Sequence, residues 1–446
     1  MMKCTIIRLL DLAFLTIFAC RIMSYLRILI FLVAMPAAVL HAAPSVGIDS
    51  IGKKIMSFNY HVRDRLGNDY NSPCSNSPVT LGPFIETMSY NYLEGFRLQA
   101  GIRTTPSFSQ KFSFGARVAY GFRDHRWKYG ADISWIQSPC QKLTFRYDYD
   151  TYFVGQDLPP RYSHHSLMQA SSLHTNPWIC YKSTLSSEYR YDMNELLSCY
   201  VGVAGDRYGA TDKISFARSD VNVFHHISLA HFNASLRLVI PAEEPVYSAS
   251  VSVSQQYGPS WFFGSRYTVS QTRLAVNKLS SLGPIGSLDI SLRACADWSR
   301  TPYVALGLPA ASLTRRAIPA TFMLMRPMEF TSDRNLSLFI TYSPEGRLLS
   351  LIPGIRDLGW KTFVVCNGSL GRLTDTNNPA CTSGIPLLPT GASTFHGAKP
   401  YLEMGAGIGN IMHFISISFV WRLTYRHTPD TDRCGLRIGV ALHSAD

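Results

Sequence analysis

Charge is scarce in this 446-residue chain: Asp, Glu, Lys and Arg together make up 16% of it, against about 25% in a typical soluble domain. That shortfall argues against a surface wetted on every side. The formal net charge of +12 is diffuse, with no long run of Lys or Arg. There is accordingly no basic stripe to follow a nucleic acid, and no nucleic-acid partner is expected. Long apolar stretches are missing beyond residue 43, which excludes membrane helices of about 20 residues from the body of the chain. Catalytic signatures are missing as well. The sequence holds no Gly-x-Ser-x-Gly elbow, no His-Glu-x-x-His, no phosphate loop and no dinucleotide fingerprint, so neither an enzyme nor a cofactor is expected. No Cys-x-x-Cys pair occurs among the 10 cysteines. Cys366 and Cys381 flank a polar stretch and could bridge in an oxidising compartment, but without a Cys-x-x-Cys or a metal spacing free thiols are the expected reading. His164-His165 and His225-His226 are adjacent in sequence; in a strand such neighbours point to opposite faces, a poor arrangement for a metal.

The first 43 residues read as a targeting segment. Read from Met1, Asp11 and Arg21 break the apolar pattern, whereas a start at Met23 gives Arg27, the apolar run Ile28 to Leu40 and then Leu-His-Ala-Ala at 40–43. The expectation is a signal peptide cleaved after Ala42 or Ala43. A membrane anchor and a lipoprotein through Cys20 are the alternatives. The second apolar run, of about 16 residues, is short for a spanning helix, and Phe18 fits a lipidation box badly. Removing residues 1–43 takes away four Lys/Arg and one Asp, which leaves +9. Residues 44–85 form a short segment leading into the main body, 86–446.

What is abundant points to sheet. Tyr, Phe and Trp number 23, 24 and 7, and Gly 31. From residue 86 onward the pattern has period two. In Phe112–Arg123 the even positions are Phe112, Phe114, Ala116, Val118, Tyr120 and Phe122, against Ser, Gly, Arg and Ala on the odd ones. Successive side chains of a strand point to opposite faces, so one face is apolar and the other small or cationic. Lys128–Trp135, Leu143–Asp150, Ile415–Arg426 and Leu436–His443 repeat the pattern. Turn signals separate the runs at 121–125, 138–140, 343–346 and 429–432, and the polar stretches 155–176 and 372–399 read as long loops. The runs exceed the ~5–6 residues common in soluble sheets. Their charged residues share a face with Gly and Ser, and aromatics gather near the strand ends, as in a membrane barrel. The fold expected is therefore all-β, a transmembrane antiparallel β-barrel. At roughly 23 residues per strand and connection it would have about 14–16 strands, an even number.

Longer segments carry a family likeness. LGPFIETMSYNYLEGFRLQAGIR at 81–103, VAYGFRDHRWKYG at 118–130, EFTSDRNLSLFI at 329–340, GRLLSLIPGIRDLGWK at 346–361 and KPYLEMGAGIGNIMHFISISFVWRLTYR at 399–426 resemble an uncharacterised outer-membrane family. Its members join a carboxypeptidase-regulatory-like domain to a C-terminal β-barrel domain of unknown function. The resemblance covers about residues 59–446 and implies a barrel in the outer membrane, in contact with its lipid and lipopolysaccharide and inserted by the barrel-assembly machinery. It supplies no mechanism. Two departures stand out: only about forty residues lie between the expected cleavage site and the barrel, and the chain ends Ser444-Ala445-Asp446 rather than on an aromatic residue.

Parity assigns Arg97, Arg103, Arg117, Arg123, Asp132 and Arg146 to the lumen. Asp148, Asp150, Glu403, Arg422 and Arg426 join them. These charges either line a pore that favours small anionic solutes or pair with one another and brace the lumen. Glu403 and Arg422 share inward parity on consecutive strands, and a turn centred between residues 412 and 413 would set them opposite each other as an ion pair. Glu94 has the parity of Phe96 and Leu98, which aims it at lipid. A charge is costly there, so it sits at the rim or Gly95 re-aims it with a bulge. Asp333, beside Arg334, has inward parity, with a neighbouring arginine as its expected partner. Three functions remain open. The first is a transport or channel barrel, the second a surface adhesin or scaffold with a plugged lumen, and the third a rim hydrolase using Asp157, His164 and His165.

Overall fold

The computed structural model describes residues 77–440 apart from 83–85, 156–164, 166–176, 219–222, 242–247, 312–316, 345–357, 413–414 and 430, together with a small ladder pairing Val62–Arg63 with Asp69–Tyr70. The signal segment, Asp157, His164 and the C-terminal tripeptide lie outside the described residues. Antiparallel strands close into a barrel. They are β2 (Gly95–Thr104), β3 (Phe112–Gly121), β4 (Arg126–Ser138), β5 (Gln141–Phe153), β6 (Ile179–Asp192), β7 (Leu197–Gly209) and β8 (His226–Pro241), then β9 (Ser248–Gly258), β10 (Val269–Ser281) and β11 (Ser287–Asp297). The sheet continues through β12 (Arg334–Ser343), β13 (Lys361–Arg372), β14 (Tyr401–Ile411), β15 (Ile415–Arg422) and β16 (Cys434–Val440). Val79–Leu81 and Met88–Asn91 both pair with β2, at successive positions along it, and so form one interrupted strand, β1. Sixteen strands result among the described residues, within the expected range and even. The sheet takes in Val79, seven residues ahead of the boundary at 86 read from the sequence.

Alternation is what makes these segments strands of a closed sheet. Phe114, Trp127, Phe145, Leu185, Phe232 and Leu436 all stand outward and exposed. Leu185 shows 63% of its surface, a waste of apolar area in water but the expected state against hydrocarbon. The inward positions carry Ser, Gly, Asn, Gln, Arg and Asp. Most connections alternate in length around the ring, exceptions being 344–360 at the short end and 122–125 at the long one. Those at one end are short, such as 139–140, 193–196 and 282–286. Those at the other are long: 154–178, 210–225, 298–333 and 373–400. The connection from β11 to β12 does not stay outside. Its described residues, 298–311 and 317–333, are mostly buried.

Candidate functional site in the barrel lumen

The lumen holds two constructions, an ion network on one wall and an inserted connection that fills the middle. On β1–β5, Arg97 is fully buried and forks between Asp150, at 2.6 Å, and Glu94, at 3.0 Å, while also donating to Gln99. Arg117 spans Asp148 and Asp150 at 3.0 and 2.5 Å. Arg103 grips both oxygens of Asp132. Lys128 lies between Glu94, at 2.8 Å, and Asp124, at 2.5 Å. Glycines make room for these head groups: a Cβ on Gly130 would lie 2.1 Å from the Asp148 carboxylate and 2.9 Å from Arg117 Nε. Buried charges persist only when paired, and here each of these four cations meets a carboxylate. Of the two arrangements expected for the inward charges, these four cations show the mutual pairing that braces the lumen. Arg146 is the looser member, 40% exposed and 3.9 Å from Asp148.

Glu94 belongs to this network despite its outward parity. It follows the turn at Tyr92–Leu93, and Gly95 takes φ +64°, a conformation most side chains resist. That reversal brings the carboxylate inward, where it accepts from Asn91 and Arg97. Arg123 and Arg426 do not reach the lumen. β3 ends at Gly121 and β15 at Arg422, so strand parity no longer governs either residue. Arg123 is exposed in the turn and donates to the Tyr92 carbonyl, and Arg426 is exposed in the connection to β16.

The inserted connection, the plug, touches two separate stretches of the wall. Tyr303, Val304, Leu306 and Met328 pack with Trp178, Tyr208, Ile227, Leu229 and Val269 of the β6–β10 side. Phe322, Met325 and Phe330 pack with Phe339, Tyr401, Phe395 and Tyr425 on the β12–β15 side. Burial holds the Tyr303 phenol well above its ordinary titration range, and its hydroxyl donates to the Ser215 carbonyl. These stretches are centred about a third of the ring apart, so the plug bridges two parts of the wall.

Glu403 and Arg422 sit opposite each other in register, as their spacing implied. They do not form the expected pair; both turn to the plug. The Glu403 carboxylate accepts from the backbone N–H groups of Met323 (2.8 Å) and Leu324 (3.0 Å), from Asn367 Nδ2 (2.8 Å) and from the Tyr401 hydroxyl (2.9 Å). Arg422 binds Glu329 of the plug and lies 4.9 Å over the Tyr401 ring. Arg437 of β16 donates to the Met323 carbonyl at 2.9 Å. Asp333 ends the plug. In place of an arginine it holds the long rim connection: Thr374 N and Asn377 Nδ2 each donate to it at 3.0 Å. Arg334 points away from the lumen, 4.9 Å over Trp298. Cys366 and Cys381 are both free thiols, not a disulfide. Among the described residues no group of His, Cys, Asp and Glu could hold a metal. His165 lies 3.5 Å from Asp150, beside the ion network.

Sequence reasoning missed the plug, its residues Glu329 and Met323, and the lysine Lys128. The usable signal was residues 301–333, apolar and proline-bearing yet without alternation, between two clear strands.

The fold and lumen define a closed, sixteen-stranded antiparallel barrel with an internal plug. No family model matches the chain, and no curated protein matches it. Among solved structures it is similar to CdiB from Escherichia coli, at 11% identity and a TM-score of 0.49, covering 82% of this chain and 63% of that one. It is also similar to BamA from Haemophilus ducreyi lacking POTRA domains 1–3, at 10% identity and a TM-score of 0.47 over 79% of this chain and 69% of that one. Pseudomonas aeruginosa OccK11 (OpdR) gives 8% identity and a TM-score of 0.34 over 79% and 90%. The chain thus spans less than two thirds of the CdiB chain. The architecture itself rests on the strand pairing described above.

Proposed function

We propose that this protein is an outer-membrane β-barrel with a transport-related role, whose lumen is gated by the connection between β11 and β12. The location is supported by the apolar outer face, which water would not tolerate over so many strands. The gating is supported by one observation above the rest: the plug is latched through a few side chains, Glu403, Arg422 and Arg437, to the last three strands. An open anion pore through the arginines of β2–β5 is not the favoured reading, because carboxylates face them. A surface scaffold with a permanently sealed lumen is the second reading, and the apolar packing of the plug on both walls favours it. We also place the chain with the outer-membrane family that its motifs resemble.

Planar-bilayer conductance of the detergent-folded protein tests the proposal. Wild type is expected to be nearly silent, with brief openings. A variant with residues 301–331 replaced by a short glycine-serine linker is expected to conduct steadily. If the shortened barrel folds and stays silent, the gate is refuted and the scaffold reading takes its place.

A further inference from the structure

We infer that the outer face of β12 and β13, at the end of the long connections, binds the phosphate of a phosphorylated glycolipid in the outer leaflet. The inference rests on the proposed outer-membrane location, and it uses neither the plug nor the luminal charges. Long connections mark the cell-exterior end of such a barrel. There Arg334 lies directly opposite Arg372 in the ladder between the two strands. Arg334 stands outward, because its neighbours Asp333 and Asn335 turn inward, to Thr374 and to the Gly307 carbonyl. Arg372 has the parity of the outward, exposed Leu370 and is itself exposed. Like charges facing each other across a ladder repel. An anion held between them turns that repulsion into attraction.

The protein supplies no carboxylate to this pair. The outward positions of β9–β14 carry no Asp or Glu. The acidic residues nearest in sequence are engaged elsewhere. Asp297 accepts from Gln271 and the Gly307 N–H, Asp333 from Thr374 and Asn377, and Asp375 from the Cys381 thiol. Arg334 Nε is buried without a hydrogen bond among the described residues. Its guanidinium lies 4.9 Å over the ring of the exposed Trp298, and that ring is fixed by its Nε1 donating to Thr272. Stacking on the ring holds one fork in place and leaves its N–H edge for an oxyanion. Register also sets the depth. Gln255, Thr272, Ala296, Arg334 and Arg372 lie opposite one another in turn across β9–β13. One row nearer the membrane middle, Val253, Leu274, Ala294, Leu336 and Leu370 do the same. The upper row is mostly polar and the lower wholly apolar, so the boundary between head groups and hydrocarbon falls between them. A tryptophan beside the upper row fits that level. A lipid phosphate there meets two arginine forks while its acyl chains lie along Leu336 and Leu370, a second hold that a free phosphate lacks.

The test titrates the full, detergent-folded protein, in mixed micelles, with diphosphoryl lipid A and separately with the same lipid stripped of its phosphates. Lipid retained with the protein on size-exclusion chromatography gives an apparent Kd. Wild type is expected to bind the phosphorylated lipid at least about tenfold more tightly, the equivalent of about 1.4 kcal/mol. Arg334→Gln and Arg372→Gln, each checked as a heat-modifiable barrel, are expected to lose most of that preference. Lys278→Gln, exposed on β10 toward the short-connection end, is expected to keep it. Should one arginine variant not fold, the other decides together with wild type. Inorganic phosphate in large excess is expected to leave the lipid bound. No preference for the phosphorylated lipid in folded wild type, an undiminished preference in the arginine variants, or displacement by inorganic phosphate overturns the inference. Binding in micelles is read apart from location in the cell. A barrel that prefers the phosphorylated lipid yet fractionates away from the outer membrane refutes the location but not the site. One that fractionates with the outer membrane and shows no preference refutes the site alone.

Discussion

Replacing Glu403 by glutamine keeps the shape of the side chain and removes its charge, which isolates the latch from the packing around it. The carboxylate divides its four donors evenly. Met323 N and Asn367 Nδ2 donate to Oε1, and Leu324 N and the Tyr401 hydroxyl donate to Oε2. An amide can keep only one oxygen. The cheaper orientation puts the new NH2 at the Oε2 position, where the Tyr401 hydroxyl can rotate to accept. Leu324 N is then left facing a donor. An orphaned buried N–H costs about 1–3 kcal/mol, and the bonds that remain lose their charge assistance, so the latched state weakens by about 2–4 kcal/mol. At 1.4 kcal/mol per tenfold, the unlatched fraction should rise about 30- to 700-fold. The assay is the fraction of time a single reconstituted barrel conducts. A change below about threefold in Glu403→Gln, with the barrel still heat-modifiable, would refute the reasoning that this carboxylate holds the plug.

Other expectations concern the wall and the outer surface. Asp150→Asn strips the bridge between Arg97 and Arg117 while Arg97 stays fully buried. It should cost about 3–5 kcal/mol in urea unfolding, whereas Asp148→Asn, on a pair 27–31% exposed, should cost no more than about 1 kcal/mol; equal losses would contradict the network. Gly95→Ala places a Cβ 2.9 Å from the Arg123 Cβ at a φ of +64°. A loss of about 1–3 kcal/mol is expected by the same assay, and a neutral result would mean that the turn before β2 does not need its glycine. Trp261 is 80% exposed beside Phe262, which stacks on the outward Phe232 at 4.6 Å. Brominated lipid should quench its fluorescence if it lies in the membrane interface, and unchanged emission would place it in water.

Much of the barrel was legible because period two is a local signal. The register of Glu403 and Arg422 followed from counting across one tight turn. What they bind did not, because the partners Met323, Leu324 and Glu329 lie 79–98 residues away in a connection with no periodicity to read. Parity also failed wherever a strand ended early, as at Arg123 and Arg426, and where a single positive φ reversed the chain, as at Glu94. Inward charges were recognisable as inward. Which of them neutralise each other depends on side-chain reach across two or three strands, as Arg97 reaches Asp150 from β2 to β5, and no one-dimensional pattern encodes that.

The position of the plug in the chain has a consequence for assembly. Its docking sites at Glu403, Arg422 and Arg437 all follow it in sequence, the farthest 114 residues from its partner, while the charges of β2–β5 find their partners within about 60 residues. Closing long loops is slower than closing short ones. The first wall can settle its charges early, and the interior becomes sealed only when the last three strands arrive. Until then only the apolar contacts with the β6–β10 side, all earlier in the chain, are there to hold the plug.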